Sequence, residues 1–286
     1  MRKIMFIAAA LVFAVSCSDW EGTNTEPLKT KIVDRLEYAD GSYVRFIYGG
    51  ERNLISRIEY SAGQTIDISY EGLDSNTPVI NVYDGNVTQS WNVAGVTIKT
   101  VSVDNTPIIN MQYDYRYYYD YMTYQSNSVE YTRTTVNWSN AVPNEKITTW
   151  YSDDSFSQSG LVSRQLVRFG WNSYTSPSNW LASIDLLPFI VPEYTEGWGM
   201  DPAVVASVGV YCFRSYNLPS TVTVAESPLS STEDTDADIV DPTSENRVFS
   251  YDRDSDGYIE AVNAVNTVTN EKQLMFTVVY AETSDK

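Results

Sequence analysis

The segment Asp252-Arg253-Asp254-Ser255-Asp256-Gly257-Tyr258-Ile259-Glu260 sets side-chain oxygens at positions one, three and five, a glycine at six and an apolar residue at eight. Those are the first nine positions of a calcium loop, in which carboxylates converge on a hard cation and the glycine makes the sharp turn. Asp252, Asp254, Asp256 and Glu260 are therefore candidate ligands of a weak calcium site. The twelfth position, where a bidentate glutamate closes such a loop, is Asn263, and no helical pattern flanks the segment. The competing reading is a hairpin that turns at Asp256-Gly257 with solvated aspartates beside it.

Histidine is absent from all 286 residues. This excludes Ser-His-Asp and Cys-His nucleophilic catalysis, histidine-ligated zinc and the commonest general base. Carboxylate chemistry is what remains, as in glycoside hydrolysis, where two Asp or Glu side chains face each other across a cleft. The pairs nearest aromatic residues are Asp153 with Asp154 and Glu193 with Glu196. Neighbouring aspartates in a Ser-Asp-Asp-Ser stretch make turns more often than active sites. The chain reads as non-catalytic, with no catalytic residue and no cofactor beyond the weak calcium loop.

Tyrosine is the conspicuous residue: 22 in the chain, seven of them between residues 113 and 124. Read as one strand, YDYRYYYDYMTY puts Tyr113, Tyr115, Tyr117, Tyr119 and Tyr121 on one face and Tyr118 and Tyr124 on the other, with Asp114, Arg116 and Asp120. The five alternate tyrosines then form a wall of the core. Tyr118 and Tyr124, on the wet face, are the candidate ligand-binding residues, since aromatic faces stack on sugar rings.

The elements that must carry these residues begin with an address. Arg2 and Lys3 precede an apolar run from Ile4 to Val15, too short to span a bilayer, so residues 1–16 read as a secretory signal peptide. Ala14-Val15-Ser16-Cys17 resembles the lipobox of bacterial lipoproteins, which implies a diacylglycerol on Cys17. Residues 17–29 then form a polar tether, and the membrane is a partner through the lipid. The formal net charge is −18, and losing Arg2 and Lys3 makes it more negative, which excludes nucleic acid as a partner. The remaining cysteine, Cys212, sits among apolar neighbours and reads as core.

From residue 30 the sequence alternates at period two between turns. In SRIEYSAGQTIDISYEG, Ile58, Tyr60, Ile66, Ile68 and Tyr70 face one way, and Arg57, Glu59, Asp67 and Ser69 the other. Further hairpins turn at Asp40-Gly41 and Asp84-Gly85. An insert at about 178–215 breaks the pattern, with Ser178 and Asp201 as N-caps, the first helix ending near Pro188 and the second opening on Pro202. Residues 226–246 are acidic and read as a surface loop. The expected fold is mainly β: an antiparallel meander of roughly eight to twelve strands, forming a curved sheet or half-barrel around a short buried helical insert. Residues 30–286 make one domain.

The segments RSYNLPSTVTV, VFSYDRDSDGYIEAV, LMFTVVY and FIYGGERNLISRIEY resemble uncharacterised bacterial surface lipoproteins with degenerate Tyr-Asp hairpins, distantly like YD/RHS repeats. The resemblance implies a fold and an address and carries no functional residues. The combined expectation is a surface-exposed outer-membrane lipoprotein of a Gram-negative bacterium that binds an extracellular polysaccharide. The alternatives are an assembly subunit contacting another envelope protein through a sheet edge or the acidic loop, and a carrier of lipid.

Overall fold

The computed structural model describes residues 31–49, 54–75, 77–94, 97–113, 119–126, 130–139, 142–172, 183–208, 215, 217–228 and 245–282. The signal peptide, Cys17, the tether, Ser178 and Cys212 lie outside them. The first strands are β1 (Lys31–Tyr38), β2 (Tyr43–Gly49), β3 (Leu54–Tyr60), β4 (Thr65–Glu71), β5 (Val79–Tyr83), β6 (Thr88–Ala94), β7 (Thr97–Val103) and β8 (Thr106–Tyr113). They are followed by β9 (Tyr119–Ser126), β10 (Glu130–Ser139), β11 (Val142–Tyr151), β12 (Leu161–Gly170), β13 (Thr221–Pro228), β14 (Glu245–Arg253), β15 (Ile259–Val265) and β16 (Lys272–Glu282).

Every strand pairs antiparallel with the next, and β1 pairs with β16 from Lys31↔Glu282 to Tyr38↔Phe276, so the sheet closes into a barrel. The expected curved sheet or half-barrel is therefore corrected to a closed one of 16 strands. Closure follows from what an open sheet would leave bare, since each edge is a row of unpaired N–H and C=O groups. It also removes the sheet edge through which an assembly subunit was expected to pair.

The hairpin grammar read from the sequence is present in the barrel. Ile58 and Ile66 are cross-strand partners and buried with Ile68, Tyr60 and Tyr70 pack half-buried against them, and Arg57 pairs with Asp67 on the outside at 2.6 Å. Gly41, Gly85 and Gly257 take φ of +83°, +97° and +87° at the turns where positive φ was expected.

Which side of the wall is apolar decides what kind of barrel this is. Inward positions carry Leu36, Phe46, Ile58, Ile80, Trp91, Val101, Ile109, Val167, Val262 and Phe276, all buried. The outer face carries rows of charge and amide: Arg45 with Asp34 at 3.1 Å, Asn81 with Glu71 at 2.8 Å, Asn92 with Thr100 at 3.1 Å, Arg168 with Glu145 at 3.0 Å. A barrel that crosses a bilayer needs an outward apolar band about 25 Å tall. The polarity here is the reverse, that of a barrel standing in water.

A lumen of this strand number is wide enough for an aqueous channel unless something fills it. The connection between β12 and β13 does so, with α1 (Leu187–Ile190), a 3₁₀ turn at Pro192–Tyr194 and α2 (Pro202–Val208). Leu186, Leu187, Ile190, Val191, Tyr194, Trp198, Val204, Val205 and Val208 are buried in one core with the inward residues of the strands. Both helices fall inside the stretch 178–215, but α1 starts at Leu187 with Pro188 in its first turn, where the expected helix was to end near Pro188. Proline lacks the N–H that is an orphan in a first turn anyway, so it suits the start of a helix. Asp201 caps α2 as expected, its Oδ1 accepting from Ala203 N at 2.8 Å.

Because consecutive strands alternate in sense, the connections alternate between two rims. The near rim holds the start of β1, the end of β16, the β14–β15 turn and both ends of the insert. At this rim five tyrosine hydroxyls tie strands together. Tyr48 donates to Val33 O at 2.9 Å, Tyr70 to Ile55 O at 3.0 Å and Tyr280 to Ile259 O at 2.9 Å, while Tyr113 bonds Ile98 O and Tyr251 bonds Pro219 O. Each ring packs against the core while its hydroxyl finds a main-chain carbonyl, a combination that phenylalanine cannot supply.

Candidate functional site at the far rim

The insert enters at the near rim, where Ser183 Oγ accepts from Val33 N at 2.8 Å and meets Tyr48 Oη at 2.7 Å. It crosses the lumen, with Phe189 ringed edge-on by Phe46 and Phe276, and turns at the far rim over residues 192–201. It then runs back beside itself, Asp185 N donating to Ala206 O at 3.0 Å. The turn plugs the far mouth, and its fastenings form a polar cluster on the inner wall.

Lys146 on β11 is at its centre. The residue is fully buried, and its ammonium donates to Glu193 O at 2.6 Å and Glu196 O at 2.9 Å, 5.4 Å from the Trp198 ring centroid. Desolvation outweighs the attraction of Glu196 and Glu193 and pushes its pKa down to about 7. The Glu193 carboxylate is clamped by both Nη atoms of Arg247 at 2.8 and 2.7 Å. Glu196 Oε2 accepts from Gln165 Nε2 at 2.7 Å, and the same nitrogen lies 3.2 Å from Glu226 Oε1. On the other side of the mouth Asp201 accepts from the Tyr60 hydroxyl at 2.6 Å. Burial, then Asp201, drives the Tyr60 pKa upward.

Two glycines let this turn touch the wall. A Cβ at Gly197, φ +76°, would meet Thr148 Cγ2 at 2.6 Å, and one at Gly199, φ +61°, would overlap the Tyr124 ring. Thr132 Oγ1 bonds Gly197 O.

Outside the same rim, a second cluster lies on β10, β11 and the loop that follows. Phe156 packs edge-on against Tyr151 at 5.4 Å and Tyr131 at 6.3 Å, and the Arg133 guanidinium lies over the Tyr151 and Phe156 rings at 5.6 and 5.4 Å. Phe156 takes φ +48°, an uncommon conformation for a bulky residue. All four side chains are half-buried.

The residues singled out from sequence are placed as follows. Tyr124, expected on the wet face, is buried at 9 % exposure against Gly199, and Met122 is buried with it, so β9 has the opposite phase to the one read. The tyrosine run is not one strand: Tyr113 ends β8 and Tyr119 begins β9, paired across a hairpin with a register shift beside them. Tyr118 lies outside the described residues. Asp252 is bonded by Lys272 at 3.0 Å and Asn263 at 3.0 Å; Asp254 pairs with Lys31 and accepts from the turn amides of Asp256 and Tyr258, each at 2.9 Å. Asp256 lies 3.4 Å from Lys31, and Glu260 is exposed on β15. Among the described residues no three His, Cys, Asp or Glu side chains are arranged to hold a metal ion, so these four do not converge. Asp153 caps its own loop through Ser155 N at 2.9 Å, and Glu193 and Glu196 are taken up by the plug.

No family model and no curated protein matches this chain. Solved structures do. The fold is that of a porin-like barrel. A crystal structure of a porin-like protein from Bacteroides vulgatus ATCC 8482 superposes with a TM-score of 0.58 over 88 % of this chain and 99 % of that one, at 12 % identity. A porin-like protein from Bacteroides uniformis ATCC 8492 gives 0.53 over 87 % and 97 %, at 13 % identity. At such identity the likeness is one of fold. In this barrel the lumen is apolar and plugged and the exterior polar.

Lys146, Gln165 and Arg247 were missed in the sequence. Their signal is faint: each stands at an inward position of its strand, but Ile147, Leu166 and Val248 beside them are the apolar residues, which suggests the opposite phase. Leu166 and Ala225 are buried on the outer side with Ile147 packed against them, in a small cluster apart from the main core.

Proposed function

We propose that this chain is a non-catalytic cell-envelope protein, held at the outer membrane of a Gram-negative bacterium by a diacylglycerol on Cys17, whose plugged barrel is a rigid stand for surface binding. The observation that carries this reading is the inverted polarity of the wall. An exterior of charge and amide disfavours a span across lipid, and an interior filled by the insert disfavours both a channel and a lipid carrier.

The tether would lead to the near rim, because β1 begins there. The far rim, with the plug turn, the Phe156 loop and the ends of β13 and β14 that flank the acidic segment, then faces away from the membrane. An extracellular polysaccharide is the ligand class this reading favours. The half-buried rings of Tyr131, Tyr151 and Phe156, with Arg133 across them, are the aromatic surface on that side that could stack on sugar. Tyr83 is the aromatic residue among the large exposed side chains described, and it stands alone.

The test is affinity electrophoresis of residues 18–286 against host and dietary polysaccharides, comparing wild type with Y151A and F156A. Retardation by one polymer class that is lost in both variants supports the reading. Binding unchanged in both moves the ligand elsewhere. No binding across the panel favours the second reading, an assembly subunit whose far rim meets another envelope protein.

A further inference from the structure

We propose, resting on the polysaccharide reading above, that the polymer bound at the outer face below the far rim is an acidic one, its carboxylate or sulfate groups held by Arg133 and Arg164.

The register sets the two arginines on either side of one threonine. Arg133 on β10 is the cross-strand partner of Thr149 on β11, and Thr149 is that of Arg164 on β12. The adjacent Thr132, Thr148 and Gln165 meet the plug turn inside the barrel, so Arg133, Thr149 and Arg164 point out. Two strand spacings put the arginine Cα atoms roughly 10 Å apart, close enough for both long side chains to reach one group lying over Thr149.

Elsewhere on the exterior an arginine has a carboxylate across the strand or beside it. Arg57 faces Asp67, Arg168 faces Glu145, Arg45 reaches Asp34, and Arg35 is bonded by Asp34 and Glu37. The cross-strand positions of Arg133 and Arg164 are instead Thr123, Thr149 and Ser227, none of them acidic. In a chain of net charge −18, positive charge is thus gathered on a stretch of wall that also carries the rings of Tyr131, Tyr151 and Phe156. In the adjoining loop Asp153 is turned back on Ser155 N at 2.9 Å, and Asp154 is exposed.

The Arg133 guanidinium lies over the Tyr151 and Phe156 rings at 5.6 and 5.4 Å. A guanidinium stacked in this way keeps its N–H groups directed outward in its own plane. With five of them it can hold a carboxylate or sulfate bidentately in addition to a partner on the protein. An acidic sugar matches both parts of the cluster: its C–H face stacks on an aromatic ring while its charged group meets the edge of the guanidinium. A neutral sugar engages the rings alone.

Isothermal titration calorimetry of residues 18–286 at about 0.15 M salt, with two pairs of polymers that differ chiefly in charge, tests this: polygalacturonate against its methyl ester, and dextran sulfate against dextran. The expected result is that at least one acidic polymer binds about tenfold tighter than its neutral counterpart, and that R133Q and R164Q each weaken that binding about tenfold. The pair that responds distinguishes carboxylate from sulfate. Circular dichroism checks that both variants keep the barrel, and the comparison of polymers needs no variant. Neutral polymers bound as tightly as acidic ones, with the binding still lost in Y151A and F156A, overturn the acidic ligand and leave the polysaccharide reading standing. Acidic binding that survives both R133Q and R164Q overturns the assigned residues. Binding to none of the four polymers overturns the inference as well, and the polysaccharide reading is then decided by the broader panel on its own.

Discussion

Gly199, held at φ +61°, lies against the Tyr124 ring with no room for a Cβ between them. This contact between the plug turn and β9 explains both a glycine at this point of the turn and the burial of a tyrosine that sequence alternation placed in water. G199A should destabilise the barrel by about 2–4 kcal/mol, from overpacking together with an alanine forced to positive φ. Chemical denaturation measures this. Adding Y124A makes room, so the double variant should lose less than the sum of the singles; strict additivity would mean that the two residues do not meet.

Lys146 makes stability depend on pH in a definite direction. Its folded pKa is lowered to about 7 from an ordinary 10.5. Between those values the unfolded chain binds a proton that the folded chain has released, so stability rises with pH from about 7 towards 10; below 7 both states are protonated and the contribution is flat. K146M removes this slope. The stability difference, wild type minus K146M, should therefore grow across that window by something on the order of a few kcal/mol, read by urea titration at successive pH values. A difference that stays level would contradict the buried placement of the ammonium.

The tyrosine hydroxyls at the near rim each donate to a main-chain carbonyl and leave the ring in the core. Y48F, Y70F and Y280F should each cost about 1 kcal/mol, and the effects of Y70F and Y280F should add because the two sites share no partner. Thermal or urea unfolding is the readout. Stability unchanged in all three would mean that the hydroxyls are satisfied equally well by water.

The hairpins were legible because one face of each is wet: Arg57 and Asp67 against Ile58 and Ile66 leave no doubt of phase. Where both faces are apolar or both polar, alternation loses its phase, as in β11 and β12, where Ile147 and Leu166 point out and Lys146 and Gln165 point in. The tyrosine run failed for a related reason, since a hairpin hidden inside it broke the parity that a single strand would have kept. Closure was illegible because the β1–β16 pairing joins the two ends of the chain, and nothing local to Lys31 or Glu282 specifies it. The insert was legible as helix, yet its far-rim turn depends on Gly197 and Gly199 meeting Thr148 and Tyr124 from distant strands. The candidate site at that rim inherits this, being built of Lys146, Gln165, Glu196 and Arg247 from four separate elements.

R247M should separate the plug from β14 by leaving the Glu193 carboxylate, only 14 % exposed, without its bidentate partner. The expected loss is about 1–3 kcal/mol, reduced from that of a fully buried pair by the solvent reaching both groups. Hydrogen exchange should show faster opening of residues 192–200 in R247M, with β1–β8 unchanged. Uniform acceleration across the barrel would contradict a local latch.

The barrel has its apolar face inside, filled by residues 183–208, and its polar face in water. The most direct measurement is the behaviour of residues 18–286, made without the lipid-bearing cysteine and purified with no detergent. The expected result is a monodisperse, β-rich species in plain buffer that gives no conductance steps when added to a planar bilayer. Aggregation that only detergent relieves, together with stable conductance in the bilayer, would contradict it.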